Sequence, residues 1–194
     1  MTPLWVAALA LAVDTAAIER YYNATRTLYV EFEQRYAHGA RERVESGTLV
    51  LRKPGRMRWD YHSGKQFVSD GKRLWYFEPE ENRAEFTRAE ASEDLRAPLV
   101  FLLGRLDFQR LFREVRREPD GTLVAIPKSD QSPYREIRLT AAASGRIEQV
   151  EVIGQDASRM RFWFRQERRN IPVDEELFRF IPPPGTQIVE APPL

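Results

Sequence analysis

Cysteine is absent from the sequence and histidine is scarce, which removes several kinds of chemistry. Without cysteine the chain cannot form a disulfide framework, a thiolate zinc site, a cysteine nucleophile or a lipid-modified N-terminal cysteine. The two histidines, His38 and His62, leave little for a metal site, and His62 has no evident nucleophile partner. We therefore expect no catalytic residues, no metal and no cofactor. The lack of cysteine is compatible with an oxidising compartment.

The chain also lacks a large excess of either charge. It has 30 Lys and Arg residues against 29 Asp and Glu residues, so the formal net charge is +1. Nearly all the basic residues are arginine, but acidic residues match them and no basic block stands alone, so we expect no nucleic-acid partner. The 194 residues, of which 42% are hydrophobic, suit one domain with a sizeable core.

No hydrophobic run in the sequence is long enough to cross a bilayer as a helix. The apolar segment from Met1 to Val13 is too short, and it ends in small residues. It is similar to the apolar region and A-x-A end of a secretory signal, although the usual positive charges before it are missing. We interpret residues 1–13 as a truncated signal peptide and residues 14–194 as a single domain. The alternative is an N-terminal tail that is disordered or docked.

The stretch from Gly47 to Tyr76 organises the rest of the chain. Apolar Met57, Trp59 and Tyr61 alternate with polar residues, which is typical of a strand with one buried face. Asp70-Gly71 is a strong signal for a tight hairpin. We therefore predict a curved antiparallel meander with one large aromatic face.

The remaining sequence predicts three helices and further strands. The first helix is capped by Asp14-Thr15 and ends near Leu28, the second begins at Ser92, and a short third helix runs from Asp107 to Arg113. Successive strands joined by tight turns favour an antiparallel sheet, which curls when it is wide. Outside the central stretch the predicted strands cover residues 29–36, 42–51, 84–88, 123–126, 135–140, 146–153, 158–166 and 186–190.

Apolar residues of the predicted sheet and of the second helix are expected to face each other. They could form an ordinary packed core, which is the simpler interpretation from the residues alone. Alternatively the sheet is only half closed, the helices cover it, and the space holds an apolar ligand. The candidate residues of such a cavity are Leu49, Leu51, Met57, Trp59, Val68, Leu74, Leu99, Phe101, Leu102, Val150 and Val152.

Several motifs occur together in one order along the chain. They are GTLVLRKPGRMRW from Gly47, VSDGKRLWYFEP from Val68, and FRFIPPPG from Phe178. In this combination the sequence resembles the LolA-type periplasmic lipoprotein carrier family. The resemblance implies an unclosed, strongly curved antiparallel half-barrel with helices over its concave apolar face.

The resemblance also implies a function without catalysis. Such a protein would bind the acyl chains of lipoproteins, take them from an inner-membrane ABC-type exporter, and pass them to an outer-membrane acceptor. We expect a periplasmic monomer. The resemblance further implies that Lys53, just before Pro54, acts as a latch for the helical lid. The alternative for Lys53 is a solvated charge at a strand end.

Two other functions remain open at this point. A sensor of lipid or lipoprotein on the same fold would bind its ligand without transferring it. A lipid-modifying enzyme would need a buried polar constellation that the sequence does not supply.

If the cavity interpretation is right, Leu102→Glu should abolish acyl binding while the sheet still folds, and normal binding by this variant would contradict it.

Overall fold

The computed structural model describes residues 14–88, 105–130 and 132–191, which form one curved, unclosed sheet of 12 strands. The strand order is β12-β6-β5-β4-β3-β2-β1-β11-β10-β9-β8-β7. The strands are β1 (Thr27–His38), β2 (Arg41–Arg52), β3 (Arg56–Tyr61), β4 (Gln66–Asp70), β5 (Arg73–Glu78), β6 (Arg83–Arg88), β7 (Phe112–Arg117), β8 (Leu123–Pro127), β9 (Tyr134–Ala141), β10 (Ile147–Gly154), β11 (Arg159–Arg169) and β12 (Gln187–Glu190). The helical elements are α1 (Thr15–Asn23), α2 (Phe108–Leu111) and a 3-10 turn at Glu175–Phe178.

Two antiparallel meanders make up this sheet. The first runs from β1 to β6 and the second from β7 to β11, each with neighbouring strands consecutive in sequence. The pairing of β1 with β11 joins them, and Phe32 lies directly opposite Phe164 there. The mainly β half-barrel expected from the sequence is therefore confirmed.

Helix α1 begins where the sequence predicts and ends earlier. The Asp14 carboxylate accepts a hydrogen bond of 2.7 Å from the Ala17 amide, which is an ordinary N-cap. The helix ends at Asn23, and by Thr27 the chain has entered β1, so the predicted end near Leu28 is wrong. Leu28 fits the strand because it starts the alternation of buried residues along β1. Within the described ranges, no helix is long and apolar enough to cross a membrane.

The third predicted helix also needs correction. Only Phe108–Leu111 is helical, and Phe112 already belongs to β7, where it lies opposite Pro127 of β8. Pairing with β8 outweighs the local helical pattern, as tertiary contacts commonly do for short segments. The predicted signal segment and the predicted helix from Ser92 lie outside the described residues.

The sheet has two unlike faces. The concave face carries α1 and most of the large apolar side chains, and we call its residues on β1 to β4 the concave floor. The convex face is mostly polar, but residues 171–191, which we call the C-terminal strap, cross it and end in β12, parallel to β6. Arg58 donates a 3.1 Å hydrogen bond to the Leu177 carbonyl, and Phe180 stacks on Trp75 at 5.1 Å between ring centroids.

Candidate functional site

The strand register lines up apolar side chains in rows across the concave floor. In one row Val30 lies opposite Leu49, which lies opposite Trp59, which lies opposite Phe67. Each of these side chains is at most 3% exposed. Neighbouring strands are less than 5 Å apart, so the rows make one continuous apolar surface.

Aromatic rings fill the centre of this floor. Phe32 packs edge-on against Trp59 and Tyr61, with centroids 4.8 and 4.9 Å apart, and Trp59 packs against Phe162 at 5.5 Å. The Trp59 indole donates a 2.8 Å hydrogen bond to the sulfur of Met57, so its one polar group is satisfied. The rings at the centre of the floor therefore contact one another directly.

Lys53 is placed at the end of the floor nearest α1. It is half-buried, and its ammonium donates a 2.8 Å hydrogen bond to the Tyr22 carbonyl in the last turn of α1. Burial lowers the pKa of Lys53. Arg169 donates a 3.0 Å hydrogen bond to the neighbouring Tyr21 carbonyl. Because Lys53 is half-buried and hydrogen-bonded, it is not a fully solvated charge. Lys53 and Arg169 together cap the negative end of α1.

A polar cluster that the sequence did not predict lies beside this cap. Tyr21 and Tyr22 both donate hydrogen bonds to the carboxylate of Glu167 on β11. Tyr22 also accepts a 3.0 Å hydrogen bond from the Ile147 amide. Burial raises the pKa of Glu167, while burial and the Glu167 carboxylate raise the pKa of Tyr21 to about 12. We call this cluster the α1 wall.

A second polar cluster, which we call the hairpin wall, lies at the opposite end of the floor. The Tyr61 hydroxyl donates a 2.6 Å hydrogen bond to Gln34, and the Lys65 ammonium lies 2.6 Å from both oxygens of Glu45. The same ammonium lies 3.9 Å from the centre of the Tyr61 ring. Burial, followed by the Glu45 charge, raises the pKa of Tyr61 well above its ordinary value. The apolar floor is therefore bounded by polar groups at both ends.

An open groove of about 570 Å³ lies beyond the floor, between α2, β7 and the start of α1. Its apolar residues are Phe108, Phe112, Val115 and Leu123, and Leu123 connects it to the core. Its basic residues are Arg113, Arg116, Arg117 and Lys128. We call it the β7 groove. The sequence did not predict it, because it assigned the first residues of β7 to a helix.

A smaller groove of about 340 Å³ lies around Gly47 and is lined by Glu31, Glu33 and His62 among others. In it His62 does find a hydroxyl partner, since its Nδ1 is 3.0 Å from the Ser46 oxygen. Ser46 lies in the middle of β2 and His62 directly after β3, so sequence spacing could not show the contact. In the part of the chain that the structure describes, no three His, Cys, Asp or Glu side chains form a group that could hold a metal.

Comparison with known proteins agrees with this half-barrel. The model of the family described as outer membrane lipoprotein carrier protein LolA matches residues 23–181. The chain belongs to the LolA family. Proteins of this family are periplasmic carriers without enzymatic activity.

Curated relatives cover nearly the whole chain. The outer-membrane lipoprotein carrier protein of Halorhodospira halophila is 30% identical over 98% of this chain and 95% of its own length. The protein of the same name from Chromobacterium violaceum is 28% identical over 95% of this chain and 91% of its own. The suspected LolA-type family is therefore confirmed.

Solved structures with low sequence identity share the fold. An uncharacterized conserved protein from Thermus thermophilus is 12% identical, with a TM-score of 0.51 over 91% of this chain and 96% of its own. A protein from Desulfovibrio piger, of a family of unknown function, is 11% identical, with a TM-score of 0.53 over 84% of this chain and 96% of its own. These two similarities concern the fold alone.

The LolA fold brings together most of the cavity residues that the sequence proposed. Three of them, Leu99, Phe101 and Leu102, lie outside the described residues. Those that are buried on the concave side of the sheet are Leu49, Leu51, Met57, Trp59, Leu74, Val150 and Val152.

Val68 is the exception and lies on the convex face. It is buried, but it lies directly opposite Arg58 and Trp75, whereas its neighbour Phe67 lies opposite Trp59. Its assignment to the concave face is therefore wrong. Both Phe67 and Val68 are apolar, so the alternation of apolar and polar residues does not show which of the two lies on the concave face. Val68 is buried on the convex face because the 3-10 turn of the C-terminal strap packs over β3 and β4 on that side.

Proposed function

We propose that the concave face of this lipoprotein carrier holds the acyl chains of its cargo, with Leu49, Met57 and Trp59 at the centre of the binding surface. We further propose that it carries lipoproteins from an inner-membrane ABC-type exporter to an outer-membrane acceptor. Membership of the LolA family supports the general carrier role. The observation that carries the finer proposal is the apolar floor closed by the α1 wall and the hairpin wall.

The size and chemistry of the floor suit an acyl chain. From Leu28 to Gln34 the floor is about 20 Å long at ~3.3 Å per residue. Each methylene removed from water contributes about 0.8 kcal/mol, so a long chain needs a continuous apolar surface during transit. Since the rings of the floor pack together in this structure, loading exchanges contacts between side chains for contacts with the ligand. Such an exchange keeps release feasible at the acceptor.

Lys53 is proposed as a latch at the α1 end. Its hydrogen bond to Tyr22 ties α1 to the sheet, so losing it should let α1 move away from the floor. We expect Lys53→Met to release a bound fluorescent apolar probe faster than the wild type, in stopped-flow dilution. Lys72→Met is the matched control, because Lys72 lies in the exposed β4–β5 turn. Equal release rates for all three proteins would rule out a latch at Lys53.

The deciding experiment is native mass spectrometry with lipid extraction on protein purified from a periplasmic fraction. We expect co-purified acylated lipoprotein or acyl lipid, displaced by a fluorescent apolar probe. Transfer to acceptor membranes should then follow. A protein that purifies empty and binds no probe would mean that the concave face is only a packed core. Binding without transfer would favour a sensor.

A further inference from the structure

The β7 groove combines an apolar floor with a cationic rim, and nothing in the proposed acyl-binding surface requires that rim. We propose that this groove binds a single-chain anionic lipid, with its chain on Leu123 and its head group on Arg117. Lys128 lies at the far end of the groove, beyond Pro127, and adds only to its positive charge. The inference deepens the proposed function and rests on it, since it adds a head-group site to an acyl-binding protein.

The apolar part of the groove leads into the concave face. Phe108, Phe112 and Leu123 are between 2% and 5% exposed and belong to the same core cluster as the floor. Leu123 lies opposite Leu139, which in turn lies opposite Val150. A chain lying on Leu123 therefore has an apolar path along β8, β9 and β10. The volume of about 570 Å³ is within the range of small-molecule sites.

The rim carries an excess of positive charge. Four cationic side chains and one carboxylate, that of Asp14, line the groove. The Asp14 carboxylate is already engaged by the Ala17 amide as the cap of α1. Two of the four cations have carboxylate partners outside the lining, Asp130 and Glu114, so the remaining positive charge of the groove comes from the other two. The groove is thus complementary to an anionic group rather than to a neutral one.

Two of the four cations are available to a ligand. Arg113 pairs with Asp130 at 2.9 Å and Arg116 with Glu114 at 3.3 Å. Arg117 reaches only a carbonyl, that of Gly121 at 3.3 Å. Among the residues that the structure describes, no carboxylate lies within salt-bridge distance of Arg117 or of Lys128.

The register places one of these free cations beside the apolar floor. Val115 lies opposite Ala125, and Arg117 lies opposite Leu123, so the two β7 residues share the face on which the core lies. Arg117 thereby marks the border between the core and the solvent at the edge of the sheet. A guanidinium in this place can bind a phosphate or carboxylate with two hydrogen bonds while the chain remains in apolar contact.

The test compares two lipids with the same chain and different head groups. Binding of 1-lauroyl lysophosphatidylglycerol and 1-lauroyl lysophosphatidylcholine, below their micelle concentrations, is measured by isothermal titration calorimetry. We expect the wild type to bind the anionic lipid about two- to fivefold more tightly, as one partly exposed charge contact would give. The double variant Arg117→Gln/Lys128→Gln should lose this preference and still bind the zwitterionic lipid. Arg41→Gln/Lys72→Gln, which removes one exposed Arg and one exposed Lys elsewhere, should keep it.

The outcomes separate this inference from the proposed function. Equal affinity of the wild type for the two lipids, or a preference that survives in Arg117→Gln/Lys128→Gln, would overturn the head-group site and leave acyl binding intact. Failure to bind either lipid would count against acyl binding and against the groove together. Glycerol 3-phosphate is the head-group probe without a chain. If it bound as tightly as the anionic lipid, the groove would be a simple anion site and the amphiphile inference would fail.

Discussion

At the scale of single residues, charged groups buried beside apolar side chains set the ends of the concave floor. Lys65 and Glu45 expose only 9% of their side chains each, yet they lie next to the aromatic cluster. Taking two charges out of water is costly, and their mutual attraction repays this cost only while both partners remain. The hairpin wall should therefore be sensitive to loss of either partner alone.

A double-mutant cycle tests this coupling. We expect Glu45→Leu to lower the free energy of unfolding by about 3 kcal/mol, since it leaves Lys65 as an unpaired buried charge. Lys65→Met should cost less, because the Arg43 guanidinium still lies 3.3 Å from the Glu45 carboxylate. The double variant should cost less than the sum of the two. Urea denaturation provides the measurement, and the exposed pair Arg35–Glu42 is the control, for which we expect at most about 1 kcal/mol. Strictly additive losses at Glu45 and Lys65 would show that the two charges do not support each other.

Glu167 in the α1 wall should give stability a particular pH dependence. Its pKa is raised in the folded protein, so the folded state holds the proton more tightly than the unfolded state. Between the ordinary glutamate pKa and the raised one, stability therefore falls as the pH rises. We expect Glu167→Gln, which cannot ionise, to lack this contribution. The difference in unfolding free energy, wild type minus variant, should decrease with rising pH across that window. Urea denaturation at a series of pH values measures it, and a constant difference would contradict the assignment.

At the scale of elements, the C-terminal strap is the clearest case of a segment held by tertiary contacts. Glu175 binds Arg52 at 2.7 Å, and Phe178 is 2% exposed although it belongs to a short 3-10 turn. Such a segment cannot fold by itself, because a single turn does not offset the loss of backbone entropy. Burial of Phe178 therefore provides much of its stability.

Two neighbouring residues of the strap form a matched pair of tests. Phe178→Ala should lower the free energy of unfolding by about 3 kcal/mol, as for other buried phenylalanines, and should expose the strap to limited proteolysis. Leu177→Ala should change stability far less, because Leu177 is 41% exposed. If both variants were cleaved at the wild-type rate, Phe178 would not be what fixes the strap.

At the scale of the whole molecule, the hydrogen-bonded sheet joins the first and last parts of the chain. Strand β1 pairs with β2 on one side and with β11 on the other, so neither meander has a free inner edge. Side chains from both meanders also share one core, in which Trp59 packs against Phe162. Unfolding of one meander would expose the other.

We therefore expect one cooperative unfolding transition. Tryptophan fluorescence reports on Trp59 and Trp75 in the first meander and on Trp163 in the second, and far-ultraviolet circular dichroism reports on all the strands. The two signals should give the same urea midpoint. Separate midpoints would show that the β1–β11 pairing does not couple the meanders. Phe164→Ala weakens this pairing on the core side and should lower both midpoints together.

Local patterns in the sequence were enough to predict several features of this protein. Strict alternation placed Met57, Trp59 and Tyr61 on one face, and Asp14 marked the start of α1. The motifs carried the resemblance to the LolA family. Three other features became visible only in the folded protein: the face of Val68, the strand at Phe112 and the two polar walls. These features depend on which strand pairs with which, or on partners such as Tyr21 and Glu167 that are far apart in the chain. Local preferences carry no information about such partners, because burial and register arise only when the whole sheet has formed.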